Sequence, residues 1–193
     1  MLQKQAKALT PAQIRTTLRF IADTRFADRN KLIFLLSVKA GLRAKEIAQL
    51  KWSMVLDADG AISDLIRLTD SASKGNSGGA IPMARDIRDA LSVMKEQDPQ
   101  TDLDSRIIRT QRSLETDPQF IVNLFFDWYR QLGFLGCSSH SGRRTFITNA
   151  ARNIGLFGGS IRDVQELARH RSLAMTQRYI EVDSNAMRKV VDA

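Results

Sequence analysis

Apolar residues recur every three to four positions along most of the chain, a spacing that places them on one face of an α-helix. The first such helix opens with a Thr10–Gln13 capping box and has proline at its first position. Residues 28–40 are apolar nearly all round and should form a central helix, which Gly41 ends in the left-handed conformation. Further helices are predicted to begin near residues 44, 85, 118, 141, 160 and 172. The last of these, capped by Ser172, should include Tyr179.

Between residues 52 and 83 the pattern changes to short runs of strand-forming residues separated by turn residues. The strand candidates are 52–56, 65–69 and 80–83, with turns at Asp59-Gly60 and across residues 75–79. The sequence therefore predicts a mainly α fold with a small three-stranded antiparallel β-sheet, an α+β architecture.

The length of 193 residues suits a single domain, and we predict one domain over residues 1–193. Residues 1–9 should form an N-terminal tail, and residues 184–193 a C-terminal stub. The stub carries an apolar stripe of Met187, Val190 and Val191 that is too short to be stable alone. It either folds back on its own domain or docks on a neighbouring protomer.

The chain carries 29 Lys and Arg against 21 Asp and Glu, a formal net charge of +8. This surplus favours a polyanionic partner, because basic residues that neutralise phosphates release condensed counterions. An anionic membrane surface would attract it as well. No apolar run approaches the ~20 residues needed to span a bilayer, and the N-terminus lacks a signal-peptide core. With Cys137 as the single cysteine, no intrachain disulfide can form, and a cytoplasmic protein is expected.

Phosphodiester chemistry without a metal needs cations around the phosphate, a nucleophile, and an acid for the leaving oxygen. Groups of these kinds occur in a suggestive order: Arg43, Lys74, His140, Arg143, His170 and Tyr179. Taken singly, each has an ordinary interpretation, such as a capping arginine, a solvated turn lysine, a core histidine or a packing tyrosine. Tyr129 is expected to be such a packing residue. Only the order and surroundings of the six favour a catalytic role.

Those surroundings resemble the tyrosine recombinase (phage integrase) family over about residues 8–183. The matching motifs are Gly41-Leu42-Arg43 with Glu46, Lys74 followed by Ile81-Pro82-Met83, His140-Ser141-Gly142-Arg143 followed by Arg144-Thr145, and His170 followed by Thr176-Gln177-Arg178-Tyr179. The chain departs from the family at Ala168-Arg169, where Leu-Gly usually precedes the histidine, and at Ser141-Gly142, where Asp-Leu is usual. The N-terminal DNA-clamping domain common in the family is expected to be absent, because only about nine residues precede the first helix.

The resemblance implies the architecture of a tyrosine recombinase catalytic domain and an enzyme that cleaves and rejoins DNA at specific sites. Tyr179 would attack the scissile phosphate and form a 3′-phosphotyrosyl link. Arg43 and Arg143 would bind the non-bridging oxygens through the planar guanidinium fork. His140 and His170 would bind the same oxygens or help to move the tyrosine proton.

The same resemblance assigns supporting roles. Lys74 would donate a proton to the leaving 5′-oxygen, and Glu46 would hold the helices or the basic residues of the site. DNA contacts are expected from Lys45, Arg144 and Arg169. No cofactor, metal or ATP would be needed, since the covalent link stores the phosphodiester energy. The implied partner is double-stranded DNA, bound near the nucleoid by a homo-tetramer whose subunits are monomers in free solution.

Other functions remain open at this point. One is a catalytically silent DNA-binding or architectural protein on the same fold, and another is DNA relaxation of the type IB topoisomerase kind. A histidine phosphatase-like enzyme would need a nucleophilic histidine beside Arg-His-Gly, which the sequence lacks. It would also leave Tyr179 without a role.

Overall fold

Over residues 5–70, 78–98, 102–111, 113–180 and 191, which the computed structural model describes, the chain forms eight α-helices and one antiparallel pair of β-strands. In chain order these are α1 (Pro11–Ala22), α2 (Ala27–Ala40), α3 (Ala44–Ala48), β1 (Leu65–Leu68), β2 (Gly79–Pro82), α4 (Arg85–Glu96), α5 (Pro118–Gln131), α6 (Ser141–Asn153), α7 (Ile161–Ala168) and α8 (Leu173–Gln177). Short 3₁₀ helices span Trp52–Met54 and Ile154–Phe157. The predicted mainly α fold with a small antiparallel sheet is confirmed.

The chain divides into two compact units, Met1–Phe146 and Ile147–Ala193. The single catalytic domain over residues 1–193 stays a prediction. None of the described helices is long and apolar enough to cross a membrane.

Local capping signals set the helix starts where the sequence predicts them. At α1 the Thr10 hydroxyl accepts a hydrogen bond from the Gln13 amide at 3.2 Å, and the Gln13 side chain accepts one from the Thr10 amide at 2.9 Å. At α7 the Asp163 carboxylate accepts bonds from both the amide and the hydroxyl of Ser160. The predicted capping box at Thr10 is confirmed, and Ser160 and Asp163 form a second one at the predicted start near residue 160. In both, side chains satisfy amides that the helix leaves unpaired.

The core of the first unit surrounds α2. Leu32, Ile33, Phe34 and Leu36 are all 0% exposed, which confirms the prediction of a central helix that is buried nearly all round. Helices α1 and α4 pack against α2. Rings of α5 extend this core, with Phe125 lying 6.4 Å from Phe34 between ring centroids.

The predicted strand 52–56 is wrong. Strands β1 and β2 pair as predicted, in a register that sets Ile66 opposite Ile81, so the described sheet has two strands rather than three. Residues 52–54 instead turn as a 3₁₀ helix, and only an isolated bridge joins Leu56 to Ile62. The Asp57 carboxylate accepts bonds from the amides of residues 59 and 61 and closes a tight turn directly after this segment. A five-residue segment with four apolar residues can be buried as a strand or as a 3₁₀ helix, so its composition does not decide between the two.

In the second unit, α7 and α8 pack on each other. Helix α8 ends at Gln177, so Tyr179 lies in the turn that follows the helix rather than inside it as predicted. Ser172 occupies the N-cap position of α8, but its side chain makes no capping hydrogen bond. The turn at Tyr179 is closed by its amide, which donates to the Thr176 carbonyl at 2.9 Å.

Candidate active site

Arg43 and Glu46 form a partly buried ion pair at the start of α3. The Glu46 side chain is 0% exposed and accepts a hydrogen bond from the Arg43 amide at 2.8 Å and another from Nη1 of Arg43, also at 2.8 Å. The Arg43 side chain remains 22% exposed. One carboxylate therefore fixes both the backbone and the guanidinium of Arg43, the geometry that the predicted holding role of Glu46 requires.

Arg143 lies in the first turn of α6 and is 4% exposed. Its Nη1 donates to the Gly41 carbonyl at 2.6 Å. Gly41 stands two residues before Arg43, so the structure brings both arginines to one short segment at the end of α2. Gly41 has φ +64°, and a Cβ there would lie 2.5 Å from Cδ1 of Phe146. Both its backbone angle and its lack of a side chain are needed for this approach.

Gly142 brings the first turn of α6 against α2. A Cβ at this position would lie 2.8 Å from Cβ of Ser37 and closer still to the Ser37 hydroxyl. The Ser37 hydroxyl is buried and has no hydrogen-bond partner among the described residues. The Ser141-Gly142 departure thus has a packing reason, because a leucine in place of Gly142 would overlap α2.

The remaining residues predicted for the site in the first unit differ in their exposure. His140 is exposed and directly precedes α6, whereas Arg143, three residues later, is buried in its first turn. Lys45 and Arg144 are half-buried, and Nη1 of Arg144 donates to the Gln5 side chain. Lys74 lies outside the described residues.

His170 and Tyr179 lie together in the second unit. Their rings stack with centroids 5.5 Å apart at an interplanar angle of 27°. His170 is 6% exposed, and its Nδ1 lies 3.0 Å from Oγ1 of Thr176, which is 0% exposed. The Tyr179 ring is half-buried. The histidine is therefore held by a buried hydroxyl on one side and by the tyrosine ring on another.

Arg169, which stands where the family usually has glycine, ends α7 in the left-handed conformation with φ 52° and ψ 48°. Its amide donates to the Glu166 carbonyl at 2.9 Å, and the His170 amide donates to the Gln165 carbonyl at 3.1 Å. The Gln165 side chain returns a bond to the His170 carbonyl at 2.9 Å. The turn before the histidine thus keeps the conformation that glycine favours, at a conformational cost that an L-residue must bear.

Tyr129, the other tyrosine, lies in an entirely different environment. It is 2% exposed and packs at 5.9 Å from Phe125 and 6.2 Å from Phe134 between ring centroids. Burial raises the pKa of its phenol well above the usual range, and the phenol oxygen has no hydrogen-bond partner within the part of the chain that the structure describes. Its predicted role as a packing residue is confirmed.

Sequence reasoning assigns no role to Thr176 or Gln165, the two residues that fix the ring and backbone of His170. Thr176 stands within the Thr-x-x-Tyr motif, so a signal is present in the sequence. Gln165 lies five residues before the histidine, and only the left-handed turn at Arg169 brings it back to the His170 backbone.

Solved structures share this fold. A crystal structure of XerA recombinase aligns with a TM-score of 0.73 and 22% identity, over 98% of this chain and 64% of that one. The Tn1549 transposon integrase in complex with transposon right end DNA aligns with a TM-score of 0.74 and 18% identity, over 96% of this chain and 65% of that one. The architecture is therefore that of a tyrosine recombinase catalytic domain.

Sequence comparison identifies the family. The model of the phage integrase family matches residues 7–186. The tyrosine recombinase XerA of Thermococcus onnurineus is 30% identical over 187 residues, which cover 95% of this chain and 61% of that protein. The chain belongs to the phage integrase family, and it spans about three-fifths of the length of this relative.

Proposed function

We propose that this chain is a site-specific DNA recombinase that cuts and rejoins DNA through a covalent 3′-phosphotyrosyl intermediate, with Tyr179 as the nucleophile. The phenol oxygen of Tyr179 attacks the scissile phosphorus while the bond from phosphorus to the 5′-oxygen breaks. A 5′-hydroxyl from a partner strand later attacks the phosphotyrosine and regenerates the phenol. The number of phosphodiester bonds is conserved, so the reaction needs neither ATP nor another energy source.

The arginines supply the charge stabilisation in this proposal. Arg43 and Arg143 bind the non-bridging oxygens, whose negative charge grows in the transition state. Glu46 keeps the Arg43 guanidinium in one orientation, through the 2.8 Å contact described above. Because these donors are already oriented, little energy is needed to reorganise them in the transition state.

The proton transfers involve the histidines and Lys74. His170 accepts the Tyr179 proton or binds a phosphate oxygen, and with Nδ1 held at Thr176 the ring acts through Nε2. His140, which is exposed at the start of α6, binds the same phosphate. Lys74 donates the proton that the departing 5′-oxygen requires. Because protein cations fill the roles that metal ions play in other nucleases, the chemical step proceeds without a metal.

Double-stranded DNA is the proposed partner, in the cytoplasm and at the nucleoid. Solved relatives of this fold include a XerH recombinase bound to its difH substrate and a lambda integrase dimer bound to a core site. The net charge of +8 supports phosphate binding, and Lys45, Arg144 and Arg169 are the proposed additional DNA contacts. We propose a monomer in free solution and a homo-tetramer on DNA.

The contrast between the two tyrosines carries the proposal. Tyr179 is half-exposed beside a histidine, whereas Tyr129 is sealed in the aromatic core. A nicked suicide duplex that carries the target site should yield an SDS-resistant adduct with the unaltered chain. Tyr179→Phe should abolish that adduct and leave duplex binding unchanged, because only one hydroxyl is lost. The reaction should proceed in EDTA.

Tyr129→Phe is the matched control, since it removes the same hydroxyl from the only other tyrosine. It should keep full adduct formation. An adduct that persists in Tyr179→Phe would place the nucleophile elsewhere. Duplex binding without any adduct from the unaltered chain would instead favour a silent DNA-binding protein.

A further inference from the structure

A cavity of about 390 Å³ lies at the N-terminal end of α2, away from the candidate active site. Four arginines line it, Arg25, Arg29, Arg106 and Arg109, together with apolar residues that include Trp52 and Met94. About 18 Å of helix separates Arg29 from Gly41, at the rise of ~1.5 Å per residue. The cavity is therefore a separate feature of the first unit that the recombination chemistry does not use.

Arg29 is a half-buried cation held rigidly at this cavity. Its Nη1 donates to the Arg109 carbonyl at 3.2 Å, and both Nε and Nη2 donate to the Asn30 side chain. The guanidinium carbon lies 4.4 Å from the centroid of Phe26 and 5.2 Å from that of Phe120. Burial lowers the pKa of this guanidinium, which means that its charge is poorly compensated by solvent.

Two carboxylates line the cavity, Asp28 and Asp98, which is fewer than the four arginines there. Asp98 is engaged by Arg109 at 3.1 Å, and Asp28 accepts a hydrogen bond from the Gln97 side chain at 2.8 Å. Within the described residues no carboxylate forms an ion pair with Arg25, Arg29 or Arg106. Arg25 shares the Phe26 ring with Arg29, at 5.2 Å, and Arg106 donates to the Gln49 carbonyl. Three cations thus converge on one concave site, and no carboxylate of the described chain is paired with them.

We propose that this cavity binds a nucleoside polyphosphate, with the phosphates at Arg25, Arg29 and Arg106 and the base against its apolar lining residues. Several guanidiniums at one site match a ligand with more than one negative charge, because each guanidinium is a permanently charged hydrogen-bond donor. The volume lies in the lower part of the ~300–1,000 Å³ range of small-ligand sites. The site is independent of the proposed recombinase chemistry, and a failure of either leaves the other standing.

Isothermal titration calorimetry, with ATP, tripolyphosphate and adenosine titrated separately into the full chain, tests the proposal. ATP should bind at one site per chain, more tightly than tripolyphosphate, and adenosine should show no binding. Arg25→Gln should weaken ATP binding about tenfold or more, since it removes a charged donor from an exposed position without disturbing the core. Arg15→Gln makes the same charge change on the exposed surface of α1 and should leave the ATP affinity unchanged.

Each other outcome overturns the proposal. No ATP binding, or equal weakening by Arg25→Gln and Arg15→Gln, would mean that the cavity is not a ligand site. Tripolyphosphate that binds as tightly as ATP would exclude recognition of the nucleoside. Displacement of ATP by a DNA duplex, together with weaker duplex binding by Arg25→Gln, would assign the arginines to DNA instead.

Discussion

At the scale of single residues, the orientation of His170 depends on one buried hydroxyl. Thr176 lies 3.0 Å from Nδ1 and has no exposed surface, so no solvent molecule can replace it without rearrangement. A hydrogen bond at one ring nitrogen selects the tautomer and thereby determines whether the other nitrogen donates or accepts. Thr176 is in this way a positioning residue for His170.

Replacing Thr176 by valine should separate this role from simple packing. Thr176→Val keeps the side-chain shape but leaves Nδ1 without its partner, so the rate of adduct formation should fall about tenfold and its pH profile should shift. Duplex affinity should not change. Thr176→Ser keeps the hydroxyl and should retain most of the rate despite a small packing loss. Equal rates for the two variants would show that the hydroxyl does not act through His170.

Arg169 offers a second test, of backbone strain rather than chemistry. Arg169→Gly and Arg169→Ala lose the same side-chain contacts, but only glycine adopts a φ of 52° freely. The glycine variant should therefore be about 1 kcal/mol more stable than the alanine variant in urea unfolding. Equal midpoints would mean that the turn relaxes out of the left-handed region once Arg169 is removed.

At the scale of elements, the close approach of α2 and α6 rests on two glycines, Gly41 and Gly142. Ser37 is the third small residue at this contact. Arg143 links α6 to the end of α2 through its hydrogen bond to the Gly41 carbonyl. Each contact joins residues about a hundred positions apart in the chain. Their effect is to hold the arginine-bearing segments close together.

Gly41→Ala should therefore cost more than the strain of a left-handed alanine. Gly133→Ala is the matched control, because Gly133 also follows a helix and has φ +69°, yet no atom of the described residues lies within 4 Å of the point that its Cβ would occupy. Both variants should lose about 1 kcal/mol from backbone strain. Gly41→Ala should lose a further ~1–3 kcal/mol from its overlap with Phe146. If denaturant unfolding gives the two variants the same loss, the helices separate easily and their close packing is not needed.

These elements also show which structural features local sequence patterns predict and which they do not. Capping boxes and helix-terminating glycines act over three or four residues. They correctly predict the helix starts at Thr10 and Ser160 and the helix end at Gly41. The pattern misassigns residues 52–56 to a strand because a short apolar run carries no periodicity of its own. The bond from Arg143 to Gly41 and the packing of Gly142 on Ser37 depend on distances across the fold, and no local pattern encodes them.

At the scale of the whole molecule, the positive charge would give the proposed DNA binding affinity without sequence specificity. A net charge of +8 implies binding that weakens steeply with salt, because most of the free energy comes from released counterions. In the proposed tetramer, the pairing of two DNA sites would require contacts between protomers. The C-terminal stub at residues 184–193, for which docking on a neighbour is one of the two predicted arrangements, lies outside the described residues except for Val191.

Deleting residues 184–193 should spare single-site DNA binding but impair synapsis and recombination. Band-shift titrations should give the same affinity for one duplex with and without the stub, since none of the proposed DNA contacts is removed. Complexes that hold two duplexes should become rare. Normal recombination by the truncated chain would contradict docking of the stub on a neighbouring protomer. Arg188→Gln with Lys189→Gln, which keeps the stub but removes two charges from it, controls for a purely electrostatic effect.

The left-handed turn at Arg169 bears on how the motif before His170 should be defined. As a sequence pattern, the motif specifies a glycine before the histidine, and this chain has Arg169 there instead. As a backbone geometry, the motif requires a positive φ that lets the next amide donate to the Gln165 carbonyl. Arg169 and His170 meet this requirement. A sequence profile that scores this position by compatible dihedral angle, with Arg, Asn and Asp admitted beside Gly, would retrieve divergent recombinases that an identity-based pattern discards.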